Sequence, residues 1–189
     1  LLDRLLATVG PEMTILDVGA GPGRHALPLS ARVGRVIAVE PSAAMREVLR
    51  ERASALGVTN LTIVPDEWPM PNPPTADIVI CSHVLYPTVE IEPFVKALGA
   101  AAGGAVHIVM RLGQREQPYL GLFERIWGEP RCLAPTGLDL INVVHALGFT
   151  ADLTVVPFPA WRAFASREDA AEQAQQDVLN PVGPGVETA

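Results

Sequence analysis

Three glycines at alternate positions, Gly19, Gly21 and Gly23, follow Asp17 at the end of a short apolar run. Glycines there let the backbone turn sharply and bring main-chain N–H groups close to a ligand. Glu40 closes the next apolar run, where a carboxylate can accept hydrogen bonds from both hydroxyls of a ribose. Two cofactor classes use such a pairing. The dinucleotide fingerprint G-x-G-x-x-G/A can be laid on Gly21, Gly23 and Ala26, but the strand would then run through Asp17, Gly19 and Ala20, poor strand material. Started at Gly19 the fingerprint fails, because Arg24 stands at its third small position. Asp17 is also a poor neighbour for a pyrophosphate, whereas a cofactor carrying an ammonium and a sulfonium tolerates a carboxylate. The D-x-G-x-G-x-G register is therefore preferred.

Proton-transfer candidates are fewer. His83 and Tyr86 follow the fourth apolar run and are the candidate general bases. His83 also reads as a loop histidine held by hydrogen bonds. His25, just after the glycines, can touch a cofactor carboxylate, with packing as its plainer role. His107 lies inside an apolar strand, and His145 sits near a helix end where it can meet the last carbonyls. Asp77 reads as a strand-start residue tied to nearby backbone. No His, Cys, Asp or Glu pair has metal-ligand spacing, so no metal is expected.

The elements that must position these groups alternate. Runs 13–18, 35–40, 61–64, 77–81 and 105–110 are almost continuously apolar, as parallel strands covered on both faces are. Ser42 is placed to cap a helix with Met45, Val48, Leu49 and Leu56 at helical spacing, and Gly57 to stop it. Residues 92–101 and 136–147 give two more helices, the second stopped by Gly148. The stretch 119–127 reads as a packing helix or as a cover for a substrate. Alternating units of this kind predict an α/β, Rossmann-like, doubly wound and mostly parallel sheet with helices on both faces. Runs 150–156 and 161–165 around Pro157-Phe158-Pro159 suggest a closing antiparallel hairpin, and Ser166-Arg167-Glu168-Asp169 a capping box opening a last helix to about Val178. One domain over 1–179 with a loose, Pro- and Gly-rich tail over 180–189 is expected. The chain opens on Leu1 rather than Met, which leaves room for an N-terminal segment that would lid the cleft.

Composition narrows the partners. A formal net charge of −7, with Lys96 the sole lysine, argues against a phosphate-backbone binder. No apolar run approaches the roughly 20 residues of a membrane span, and the first residues do not read as a signal peptide. Two cysteines without partners at metal spacing fit a reduced, cytoplasmic compartment. An Ala-rich composition with Arg favoured over Lys points to a GC-rich bacterial genome.

These motifs resemble the class I S-adenosylmethionine-dependent methyltransferases. Ile15-Leu16-Asp17-Val18-Gly19-Ala20-Gly21-Pro22-Gly23 is similar to the family's first motif, and Glu40-Pro41-Ser42-Ala43-Ala44-Met45 to its second. Asp66, past the third strand, stands at the acidic position near the adenine amino group. The resemblance covers about Leu5 to Gly148 and implies a seven-stranded sheet in the order 3-2-1-4-5-7-6. It implies that Gly19 and Gly21 approach the methionine and ribose portions, Glu40 the ribose and Met45 the adenine face, with Asp17, Ala20, Gly23 and Pro41 also in contact with the cofactor. Asp66, Glu67 and Ser82 complete the implied cofactor contacts. Met45 also reads as core filler, and Asp66 as a turn residue beside Pro65. The segment after the fourth strand, Cys81-Ser82-His83-Val84-Leu85-Tyr86-Pro87, lacks the N/D-P-P-Y motif of many amino-methylating enzymes, which favours a small-molecule acceptor. A non-catalytic binding protein on the same fold and an NAD(P)-dependent oxidoreductase are the alternatives.

Overall fold

In the computed structural model, residues 2–112, 120–129, 135–156, 166–168 and 171 are described. They divide into two compact units, Leu1–Met110 and Arg111–Ala189.

The first unit holds α1 (Leu2–Thr8), β1 (Thr14–Val18), α2 (Ala26–Ser30), β2 (Arg35–Val39), α3 (Ala43–Ala55), β3 (Leu61–Val64), β4 (Ala76–Ser82), α4 (Ile91–Ala101) and β5 (Ala102–Val109). Its sheet is parallel at every pairing, in the order β3-β2-β1-β4-β5. That is the expected order as far as β5. The strands were predicted as unbroken apolar runs, and β1 and β2 are buried along nearly their whole length. From β1 the chain steps outward through β2 to β3, and from β4 it steps the other way to β5. Right-handed crossovers therefore place the two sets of helices on opposite faces. On one face Leu5, Ala26, Leu27, Leu29, Leu49 and Ala53 from the helices pack on Ile15, Val36, Ala38, Ile78 and Ile80.

Local chemistry sets the ends of the elements. The Ser42 hydroxyl accepts from the Met45 amide as the N-cap of α3, and Gly57, at φ +66°, ends the helix in the left-handed region. Asp77 Oδ2 accepts the Thr14 N–H at 2.7 Å, so the strand-start carboxylate is tied to the neighbouring strand rather than to its own loop.

The second unit contains α5 (Leu120–Trp127) and α6 (Gly137–Ala146). Thr136 caps α6 through a complete capping box with Asp139, whose carboxyl these bonds to the Thr136 hydroxyl and amide hold below its ordinary value. Thr136→Ala is expected to lower the stability of this unit by about 1 kcal/mol in a urea titration followed by circular dichroism. Residues 150–156, expected as a strand, form no ladder with any described residue, and a strand exists only through its ladder partner. The other half of that hairpin, 161–165, lies outside the described residues, as does most of the helix expected from Ser166, of which Arg167 and Glu168 are helical.

Candidate cofactor and acceptor site

Strand order reverses direction between β1 and β4, and in an open parallel sheet the crevice beyond the carboxyl ends at such a switch is where ligands bind. The two walls of that crevice are the segment after β1, with its three glycines, and the segment 83–88 after β4.

The first wall is tied to the sheet. Gly19 and Ala20 donate their N–H groups to the Val39 carbonyl at 2.8 and 3.2 Å, and Gly23 donates to Ala20 at 3.0 Å. Gly19, Gly21 and Gly23 all have positive φ, at 70°, 54° and 86°. A Cβ on Gly19 would collide with Val84 Cγ2, so this residue must be glycine on two counts, its dihedral and the side chain above it. Gly19→Ala is expected to cost about 1–3 kcal/mol of folding stability, read as a lower denaturant midpoint. Gly21, in contrast, has no atom within 4 Å of such a Cβ, which leaves open space beside its backbone for a ligand.

Glu40 is 6 % exposed at the end of β2. Its Oε2 accepts the Gly21 N–H at 2.7 Å and its Oε1 the Ser42 N–H at 2.8 Å. One carboxylate thus joins the glycine wall to the start of α3. Each oxygen keeps a second lone pair, so a ribose diol can still bond there.

Asp17 is 1 % exposed, and its Oδ2 is buried without a hydrogen-bond partner. Burial pushes its carboxyl up to about 7, against the Ala26 amide, which lowers it, and with the Glu40 charge, which adds to the rise. An unpaired buried acceptor at the root of the crevice suits a ligand cation or hydrogen-bond donor.

The second wall brings His83 and Tyr86 together. His83 Nδ1 lies 2.8 Å from the Tyr86 hydroxyl, and the rings stack with centroids 5.9 Å apart. His83 has φ +61°, an uncommon conformation for a residue other than glycine. Its N–H donates to Val109 at 2.9 Å, and Leu85, fully buried, anchors the segment.

Other expected contacts are placed less tightly. Ser82 is half-buried where β4 ends, and Pro41 is exposed beside Glu40. Met45 is 43 % exposed, which removes its reading as core filler. Asp66 and Glu67 are exposed past β3, and Asp66 Oδ1 accepts the Glu67 N–H at 2.9 Å, the turn bond of its plainer reading. His25 is the N-cap of α2 without a side-chain cap bond; burial, then the Arg24 charge, hold its imidazole below the ordinary range. His107 is half-buried in β5, and burial lowers it too. Among the described residues no three His, Cys, Asp or Glu side chains cluster to hold a metal, and no helix is long and apolar enough to cross a membrane.

Two participants escaped the sequence. Val84 roofs Gly19, a contact that only the β1–β4 adjacency creates. Arg46 donates from Nη1 to the Glu40 carbonyl at 2.9 Å and the Pro41 carbonyl at 2.6 Å, fixing the corner behind the carboxylate. Its place in the first turn after Ser42 was the available signal.

Comparison with known proteins bears on the fold that carries these residues. Residues 15–102 match the family profile described as "Methyltransferase domain". An uncharacterized protein of Haemophilus influenzae is 28% identical over 150 residues, 78% of this chain and 55% of its own length. The chain therefore spans about half of that curated relative. Magnesium protoporphyrin IX methyltransferase from Synechocystis, solved with bound S-adenosylhomocysteine, superposes with a TM-score of 0.63 at 21% identity, covering 79% of this chain and 71% of that one. A SAM-dependent methyltransferase from Aquifex aeolicus gives 0.61 at 21% identity, with 78% of each chain covered. Residues 15–102 thus match the profile of a methyltransferase domain, and the chain has the fold of S-adenosylmethionine-dependent methyltransferases.

Proposed function

We propose that this chain binds S-adenosylmethionine in the crevice between β1 and β4 and transfers its methyl group to a small-molecule acceptor. The observation that carries the reading is Asp17: a buried carboxylate with one oxygen unpartnered, beside a glycine segment with open space at Gly21. Among cofactors that use such a segment, one with an ammonium group completes that oxygen, whereas a pyrophosphate would meet a like charge.

Glu40 would hold the ribose hydroxyls, and the backbone from Gly19 to Gly21 the chain between ribose and amino acid. Met45, with Asp66 and Glu67 past β3, would line the adenine side, with Pro41 beside the ribose and Ser82 facing the methionine end. When bound, the cofactor supplies a methyl carbon already activated by a sulfonium. What the protein adds is orientation and exclusion of water, worth roughly 7–11 kcal/mol in well-positioned systems. A small acceptor is supported by the net charge of −7 and the single lysine, which offer no basic face to a nucleic acid.

Calorimetric titration with S-adenosylmethionine, S-adenosylhomocysteine and NADH tests the reading. Saturable binding of both adenosyl ligands and none of NADH is expected. Binding of NADH alone would assign the crevice to hydride transfer instead, and binding of none of the three would leave a methyltransferase fold without its cofactor.

A further inference from the structure

From β3 the chain crosses to β4 through residues 65–75 without a helix, unlike the crossovers that carry α2, α3 and α4. Five of those residues, Pro65, Pro69, Pro71, Pro73 and Pro74, have no N–H to donate. Only Trp68 among them is buried, at 6 % exposure. Its indole Nε1–H donates at 3.4 Å to the carbonyl of Phe94, itself buried in the first turn of α4. Among the described residues that is the sole hydrogen bond from 65–75 to any other part of the chain. One side chain anchors the whole crossing.

Immediately before Trp68 stand Asp66 and Glu67, both exposed beyond the carboxyl end of β3. Their own bond, from the Glu67 N–H to Asp66 Oδ1 at 2.9 Å, ties them only to each other. The sheet holds the chain as far as Val64, whose carbonyl accepts the Glu40 N–H at 3.1 Å. Residues 65–67 therefore form a short arch, held by the sheet at one end and by Trp68 at the other, with the φ of Pro65 fixed within it. On the exit from the neighbouring strand, Arg46 holds the Glu40 and Pro41 carbonyls at 2.9 and 2.6 Å. Both sides of this end of the crevice are thus tied down before any ligand arrives. An arch without its anchor would have to be ordered on binding, which costs roughly five- to thirtyfold in affinity for each residue fixed.

A held carboxylate can read a purine. Adenine presents a 6-amino donor, whereas hypoxanthine presents an oxygen at the same place. A fixed carboxylate accepts from the first and repels the second, but a mobile one turns away from the second at little cost.

Building on the cofactor reading above, we propose that Trp68 is the positioning residue for recognition of the purine. By anchoring the arch it holds Asp66 where the carboxylate accepts from a 6-amino group, so the crevice selects 6-amino over 6-oxo purine nucleosides.

Calorimetry of the full chain with S-adenosylhomocysteine and S-inosylhomocysteine, in the wild type, Trp68→Phe and Trp68→Ala, tests this. The wild type should prefer the adenosyl ligand by about 10–150-fold, the value of a bond to a charged group. Trp68→Ala should bring that ratio close to parity, mainly by weakening the adenosyl ligand. Trp68→Phe keeps a buried ring, loses the indole N–H and should fall between the two. A tryptophan that only fills space would weaken both ligands alike and leave the ratio unchanged, and that result overturns the proposal. A wild type that binds both ligands equally overturns it as well.

Should Trp68→Ala fail to fold, the Trp68→Phe ratio decides, together with the Glu67 amide. In the ligand-free chain that amide should exchange with solvent about 2–10-fold faster in Trp68→Phe than in the wild type. Equal rates mean that Trp68 does not hold the arch, and the proposal falls. A wild type that binds neither ligand sinks the cofactor reading and the purine role with it, while Glu67 exchange still reports separately whether Trp68 anchors the arch.

Discussion

Asp17→Asn is expected to be more stable than the wild type above pH 7, by up to about 4 kcal/mol, with the gain fading toward pH 4. The folded carboxyl titrates at about 7 against an ordinary 3.8. Below pH 4 it is protonated in both folded and unfolded chains, and ionisation then costs nothing. Between 4 and 7 the unfolded chain releases the proton and the folded chain keeps it, so wild-type stability falls with rising pH across that window. Asparagine cannot ionise and still offers an oxygen to the Ala26 amide. Urea titrations of both proteins at pH 4, 6 and 8 give the difference directly; a difference that is flat across the three removes the buried charge from the account. The same linkage reaches the ligand. An ammonium group beside Asp17 favours the ionised form, so affinity for S-adenosylmethionine should fall below pH 7, by at most tenfold per pH unit, with a proton released on binding. Asp17→Asn should bind more weakly with that slope gone. A wild-type affinity constant between pH 5.5 and 7.5 would place the ammonium elsewhere.

The second large effect is Glu40→Ala. The side chain holds two backbone N–H groups, of Gly21 and Ser42, with charge-assisted bonds of 2.7 and 2.8 Å, and on the proposed cofactor reading would also hold the ribose. Bonds to a charged group contribute about 1.5–3 kcal/mol each, so loss of the ribose contact alone predicts a drop in adenosyl-ligand affinity of roughly 10–150-fold. Freeing Gly21 from its anchor adds to that. Glu40→Gln should bind better than Glu40→Ala, because one oxygen still accepts, although its amide end faces an N–H donor. Calorimetry on the three proteins checks the ranking. Equal affinities in all three would mean that the ribose sits away from Glu40.

The glycine wall of the candidate site was legible in the sequence because its parts are local. Asp17, the three glycines and Glu40 each stand at a strand end, and the apolar runs that define those ends are unbroken. Ser42, Thr136, Gly57 and Gly148 gave helix ends for the same reason: a cap acts within one turn. What the sequence could not give are contacts made across strands. Val84 reaches Gly19 only because β4 lies beside β1, and Asp77 reaches Thr14 across the same pair. The double bond from Glu40 to Gly21 and Ser42 likewise depends on how two turns meet in space. The left-handed backbone at His83 had no warning, since histidine rarely adopts it.

The two walls of the crevice are built to different standards of attachment. The glycine wall is bound to β2 through Val39 twice and through the Glu40 carboxylate once. The wall after β4 has, among the described residues, one backbone bond to β5, from His83 to Val109, and an apolar anchor in Leu85. Sequence change therefore has unequal freedom across a few ångströms. Residues 87–90 can be exchanged, lengthened or recharged while the neighbouring wall keeps its shape. A lineage, or an engineer, altering that short stretch would recast one wall of the crevice and leave the other standing.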